Sequence, residues 1–241
     1  NSRRCLLCTD DCQPRTILRQ GHIDHHLRIC VEEGIDPITA VQMATLNAAE
    51  CFGLSDRGAL APGLRADIVL LNNLTEFRVQ AVFITGREVA ADRLYLPPVH
   101  RRDSFAVTGS MHVKDFSADR LRLPLKTDRA HAIAILPDGV LTAKETVQVT
   151  RDANGMFVYD PARDIVKIAV IERHDDTGNV AVVLLKNYGL HSGAVALSIG
   201  HDSHNIIAVG ANDADMAFAV ETGSRLGGGI VLAKDGCVLE S

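Results

Sequence analysis

The segment CLLCTDDC places Cys5, Cys8 and Cys12 around two adjacent carboxylates, Asp10 and Asp11. Either set could do chemistry. Thiolates that converge on one point satisfy zinc or an iron–sulfur cluster, and Cys5 and Cys8 form a C-x2-C pair with Cys12 close behind. A structural zinc site needs a fourth soft ligand, however, and Cys30, Cys51 and Cys237 supply no second C-x2-C. On a strand Cys5 and Cys8 also face opposite sides, so the sulfurs read as packed thiols. The acids follow an apolar, strand-like CLLCT and so stand at its C-terminal end, where barrel enzymes carry their reactive groups. A carboxylate there can ligate a divalent ion and accept a proton from activated water. An Asp pair capping a turn is the plainer alternative, and local pattern alone favours it.

Two histidine clusters follow. GHIDHH sets His22 and His26 at i, i+4 with His25 between them, a spacing that can bind zinc, but Ile23 stands where an H-E-x-x-H motif has its Glu. These histidines therefore read as surface or supporting residues. HDSHN, His201 to Asn205, is the densest polar cluster of the apolar second half and lies between the strand-like GAVALSIG and IIAVG. Polar groups at a strand junction must find partners; a substrate, a metal or the loop itself would serve. The GGG at 227–229 lacks the Lys-Ser/Thr that would complete a phosphate cradle, so it reads as a turn.

Several partner classes are excluded by composition. With 25 Lys and Arg against 30 Asp and Glu, the 241-residue chain carries a net charge of −5 and no clustered basic field, so nucleic acid is not an expected partner. Its longest apolar runs, such as Val180 to Leu185, fall far short of the roughly 20 residues a bilayer span needs, and no membrane association is expected. Forty-six per cent hydrophobic content with 7 Phe, 3 Tyr and no Trp specifies a globular chain with an aliphatic core. Six cysteines without a regular framework point to a reducing, cytoplasmic setting. There is no initiator Met and no signal layout, and the chain reads as part of something longer.

The elements that must position these groups are legible in outline. Ile23, Leu27, Cys30 and Val31 recur at helical spacing before a stop at Gly34; Asp36 and Pro37 then open a second helix expected to run to Phe52. Ala66 to Leu71 and Phe77 to Gly86 read as strands, and Arg87 to Leu125 has mixed character. Ala130 to Leu136, Ile165 to Arg173, Asn179 to Lys186 and Ala194 to Ile199 are further strands, with turns at Asn154-Gly155 and Thr177-Gly178. A helix capped near Asn212 or Asp213 precedes a last hairpin turning at Asp235-Gly236.

Taken together, CTDD, GHIDHHLRICVEEGIDPITAVQMATLNAAECFGL and GALAPGLRADIVLLNNL resemble the end of the metal-dependent amidohydrolase superfamily. FRVQAVFITGREVA, LRLPL, TGNVAVVLLKNYGL, SIGHDSHNIIAVGANDADMAFAV and GGGIVLAKDG resemble its adenine deaminase branch. The resemblance implies a mixed α/β and α+β fold: residues 1–55 the last strand and helices of a (β/α)8 barrel, 56–95 a small β domain, 96–126 a connection, and 127–241 an α+β C-terminal domain. It also implies hydrolytic deamination of adenine to hypoxanthine and ammonia, with a divalent metal, Mn, Fe or Zn, in a binuclear centre of the intact enzyme. Asp10 matches the superfamily's last metal-ligating, proton-accepting aspartate, with Asp11 beside it as a second catalytic candidate. His201, Asp202, Ser203 and His204 become candidate substrate-binding residues.

One departure bears on all of this: the family's H-x-H is absent, so the chain is expected to lack its N-terminal barrel portion and to be inactive in isolation. Association into a homo-oligomer is a further expectation, because truncation exposes strand edges. Two other readings stay open, a different cyclic-amide or amine hydrolase and a non-catalytic module that binds purine or a partner.

Overall fold

A computed structural model describes residues 2–101, 103–137 and 141–241, and its contacts divide into two units at Arg101.

Short-range capping chemistry shapes the first unit. Helix α1 (Pro14–Gln20) begins with proline at its first position, followed by α2 (Ile23–Glu32), α3 (Pro37–Ala44) and α4 (Leu46–Cys51). Helix α2 ends in a Schellman arrangement: Gly34 (φ +89°) donates its N–H to Val31, and Ile35 donates to Cys30. One residue later the Asp36 carboxylate accepts the Thr39 N–H at 2.9 Å, which fixes the start of α3. The helix expected to continue to Phe52 instead breaks at Thr45 (φ −128°, ψ −85°), whose hydroxyl turns back to the Val41 carbonyl at 2.7 Å. Leu27, Ala40 and the fully buried Phe77 form the core here.

The strand expected at CLLCT is not present as a strand. A strand exists only through a neighbouring ladder, and among the described residues none pairs with this segment. Its anchor is a helix: the Leu7 N–H donates to the Met43 carbonyl of α3 at 3.1 Å, and Leu7 packs against the Leu27 cluster.

Strands β1 (Ile68–Leu71), β2 (Val79–Ile84), β3 (Arg87–Ala91) and β4 (Leu94–Tyr95) form an antiparallel meander in sequence order. The β2–β3 turn places Thr85 and Gly86 at φ +52° and +75°, the two left-handed positions of a type I′ hairpin. That turn converts part of the mixed stretch after Gly86 into strand.

In the second unit, β5 (Arg129–Ile135), β6 (Thr142–Gln148), the short ribbon β7 (Thr150–Arg151) and β8 (Phe157–Val158), β9 (Ile165–Ile171), β10 (Val180–Lys186), β11 (Ala194–Leu197) and β12 (Ile206–Gly210) precede helix α5 (Asp213–Leu226) and the hairpin β13 (Ile230–Lys234) and β14 (Cys237–Glu240). Eight of these strands make one sheet, ordered β14-β13-β11-β12-β9-β10-β5-β6. The β5–β10 pair is parallel and every other pair antiparallel. Helix α5 lays Met216, Ala219 and Val220 on Ala169, Ala196, Ala208 and Val231. The approach is close enough that a Cβ on Gly210 would lie 2.2 Å from Met216 Cγ. Met111, Val113, Phe116 and Leu121 join this same core, so much of the stretch before β5 packs with the second unit.

Lys167, 4% exposed in the middle of β9, donates to the Leu121 carbonyl at 3.0 Å and pairs with Asp213 in the first turn of α5. Burial pushes its ammonium down to about 8. The pair pins the helix to the sheet. Gly227 ends α5 at φ +84°, so the glycine run is a helix stop followed by the entry to β13.

Candidate functional site

Two clusters contain the candidate residues, one in each unit. In the first, the chain leaves the Leu7 anchor and turns at once. Asp10 adopts φ +47°, its carbonyl accepts the Cys12 N–H at 2.8 Å, and its own N–H points at Cys8 Sγ at 3.4 Å. Aspartate tolerates this left-handed conformation better than most residues. The tight turn leaves the side chains of both Asp10 and Asp11 exposed. The sulfurs behave otherwise. Cys8 is spent on the turn, no disulfide forms among the described residues, and Cys5, Cys8 and Cys12 do not gather into a metal-binding trio.

Behind the turn, His22 Nε2 meets the Thr9 hydroxyl at 3.1 Å, and His26 Nδ1 lies 3.0 Å from the His22 carbonyl. Because a carbonyl only accepts, that Nδ1 carries the proton. The i, i+4 pair is therefore engaged in holding the turn against α2. Asp24 closes the same corner, accepting the His22 N–H at 2.7 Å and Arg28 at 3.0 Å. Burial opposes its charge, but these donors prevail and keep its carboxyl below the ordinary range.

In the second unit, residues 201–205 join β11 to β12. His201 to His204 are exposed and Asn205 half-buried. His204 takes φ +52° and donates its N–H to the Gly200 carbonyl at 2.6 Å, closing the loop on itself. His201 Nδ1 lies 2.8 Å from Asp202 Oδ1, and the His201 and His204 rings stand 6.3 Å apart, edge to face. Asn205 Oδ1 is shut off from solvent without a hydrogen-bond partner among the described residues. The loop thus presents two imidazoles, a carboxylate and a hydroxyl on one short span.

The residues supporting this loop were not singled out by the sequence reading. Arg173 Nε donates to the His204 carbonyl at 2.5 Å, and His174 Nε2 to the Ser203 carbonyl at 2.8 Å. Glu172 accepts the N–H groups of His174, Asp175 and Thr177 and the Thr177 hydroxyl. These donors, led by Asp175, hold its carboxyl down to about 2.

As to a metal, the donor chemistry of the first cluster fits a divalent ion. Asp10 and Asp11 offer exposed hard oxygens on one turn, the ligand type that suits Mn, Fe or Zn together with imidazoles.

Comparison with known proteins covers both clusters. Residues 1–89 match the amidohydrolase family and residues 139–241 the adenine deaminase C-terminal domain. Adenine deaminase 2 of Desulfotalea psychrophila is 58% identical over the whole chain, which covers 42% of that relative. The adenine deaminase of Ligilactobacillus salivarius is 51% identical over 98% of this chain and 41% of its own length, and that of Bacillus pumilus 40% identical over 98% and 41%. The chain therefore spans about two fifths of the length of the curated relatives it matches. Within that span it is similar to adenine deaminases along its whole length, with the amidohydrolase match at 1–89 and the adenine deaminase C-terminal domain match at 139–241.

Proposed function

We propose that this chain is the C-terminal portion of a metal-dependent adenine deaminase, which hydrolyses adenine to hypoxanthine and ammonia. The observation that carries the reading is the exposed Asp10–Asp11 turn within a segment that matches the amidohydrolase family, in a chain that also matches the adenine deaminase C-terminal domain. In the whole protein, residues 1–55 would complete a (β/α)8 barrel, 56–95 belong to a small β domain, 96–126 connect, and 127–241 form the C-terminal domain.

Asp10 is the residue assigned to hold a divalent ion, Mn, Fe or Zn, within a binuclear centre whose other ligands lie elsewhere in the whole protein. When bound, that ion supplies Lewis-acid activation of water. Asp10 also accepts the proton of the attacking water at a carboxylate oxygen and returns it to the departing amine, while Asp11 orients its neighbour. The ring nitrogens and amino group of adenine call for donors and acceptors, which His201, Asp202, Ser203 and His204 provide. None of the described helices is long and apolar enough to cross a membrane, and six cysteines without a disulfide among the described residues fit a reducing cytoplasm.

The test is hypoxanthine formation by the full-length protein with added Mn(II), compared with this chain alone and with full-length Asp10→Asn. The expected result is activity in the full-length protein only, reduced by at least about 100-fold in the variant. A full-length protein that binds adenine without deaminating it would overturn the enzymatic reading.

A further inference from the structure

Between β9 and β10 the sequence Glu172-Arg173-His174 spends nearly all its polar capacity on main chain. Arg173 reaches in two directions: Nε donates to the His204 carbonyl at 2.5 Å, and Nη1 donates to the Ser110 carbonyl at 2.8 Å and its hydroxyl at 3.1 Å. Its own carbonyl accepts the His112 N–H at 2.8 Å. His174 Nε2 must carry a proton, since its partner at 2.8 Å is the Ser203 carbonyl. The Glu172 carboxylate fixes the bend that aims both side chains, gathering the Asp175 and Thr177 N–H groups at 2.9 and 3.0 Å.

The bonds to 203 and 204 all reach carbonyl groups, and residues 201–204 remain exposed. A clamp of this kind sets where a loop sits without consuming the groups it displays.

We propose that Glu172, Arg173 and His174 are positioning residues that hold the 201–205 loop in the conformation that receives the substrate; this rests on the adenine deaminase reading. Ser110 extends the clamp by fixing the far side of the Arg173 guanidinium.

The test uses the full-length protein and the variants Arg173→Ala, Arg173→Lys and His174→Ala, with Arg151→Ala, paired to Asp128 elsewhere in the unit, as a control. Two readouts are taken: amide exchange of residues 200–206, and kcat and KM for adenine. Loss of the charge-assisted bonds in Arg173→Ala is expected to speed exchange and raise KM about tenfold each, with kcat changed less than about threefold. Arg173→Lys, which replaces a two-directional fork by a single ammonium, is expected to fall between. Exchange and KM equal to those of the Arg151→Ala control would overturn the proposal. If the wild-type protein does not deaminate adenine, the functional reading fails and the clamp stands or falls on exchange alone: faster exchange in Arg173→Ala supports it, and unchanged exchange refutes it.

Discussion

Replacing Asn212 by alanine tests how α5, the helix under the loop-bearing sheet, is held in place. Asn212 is the N-cap: its Oδ1 accepts the Asp215 N–H at 2.8 Å, and its Nδ2 donates to Asp215 Oδ2, also at 2.8 Å. Asp215 is only 3% exposed, and its other oxygen accepts the Gly236 N–H of the β13–β14 turn at 3.2 Å. Asn212→Ala therefore costs the cap, about 1 kcal/mol, and strands one buried carboxylate oxygen, about 1–2 kcal/mol more. A total of about 2–3 kcal/mol corresponds to a roughly 30- to 140-fold change in the opening equilibrium. Native-state hydrogen exchange at Ala219 and Val220, both buried on α5, reads this directly, because it reports the unit to which the helix belongs. Asn212→Ser keeps an acceptor for the Asp215 N–H but gives up the donor to Oδ2, and about half the effect is expected. Acceleration below about fivefold in Asn212→Ala, or a serine variant as damaged as the alanine one, would refute the reasoning.

Three other outcomes follow from the same structure. Gly210→Ala drives a Cβ to 2.2 Å from Met216 Cγ and 3.0 Å from the Ala194 Cβ; a loss of about 1–3 kcal/mol is expected in urea unfolding, and adding Met216→Ala should cost less than the sum of the two single losses. Lys167→Met leaves the Leu121 carbonyl and the Asp213 carboxylate without their ammonium, and a cost of about 2–4 kcal/mol is expected because one member of a largely buried pair is removed. Glu172, with its carboxyl held at about 2 against an ordinary value of 4.5, binds fewer protons folded than unfolded between those values. Its contribution is therefore complete above 4.5 and lost as pH falls toward 2. Protection factors at the Asp175 and Thr177 amides, with the intrinsic pH dependence of exchange divided out, should fall over that window in the wild type, and a Glu172→Gln variant should show no such fall.

Where a single residue's conformational preference decides the backbone, the fold could be read in advance. Gly34, Asp36-Pro37, Asn212 and Asp235-Gly236 each act through a bond or a φ value local to themselves, and the helices α2, α3 and α5 and the last hairpin begin or end where those residues stand. Elements set by distant partners were less legible. CLLCT has a strand's composition, but a ladder is a property of two segments, and the neighbour it meets is α3. The break at Thr45 comes where Asn47 turns its amide to the Ser2 and Cys5 carbonyls at 2.9 and 2.8 Å, a demand from more than 40 residues away. Strand β6 (TAKETVQ) carries one buried side chain, Val147, because it lies at the sheet edge, so its apolar signal is faint.

The same distinction separates the displayed residues of the candidate site from their support. Asp10, Asp11 and HDSHN stood out because each is a dense run of polar residues beside an apolar stretch of sequence, where polar groups must find partners. Arg173 and His174 gave no such signal. Each is an ordinary polar residue after a strand, and what they bind is a carbonyl, a group every residue possesses, about 30 positions further on. Only the sheet makes the link, since β9 lies directly beside β12 with Ile171 opposite Ile206, so that the residues following one strand meet those preceding the other. Antiparallel pairing brings the exit of β9 to the entrance of β12. A loop held through its carbonyls by a fixed neighbour is positioned at its backbone, which is why the amide exchange of 200–206 is the sharper readout of the clamp than any loss of overall stability.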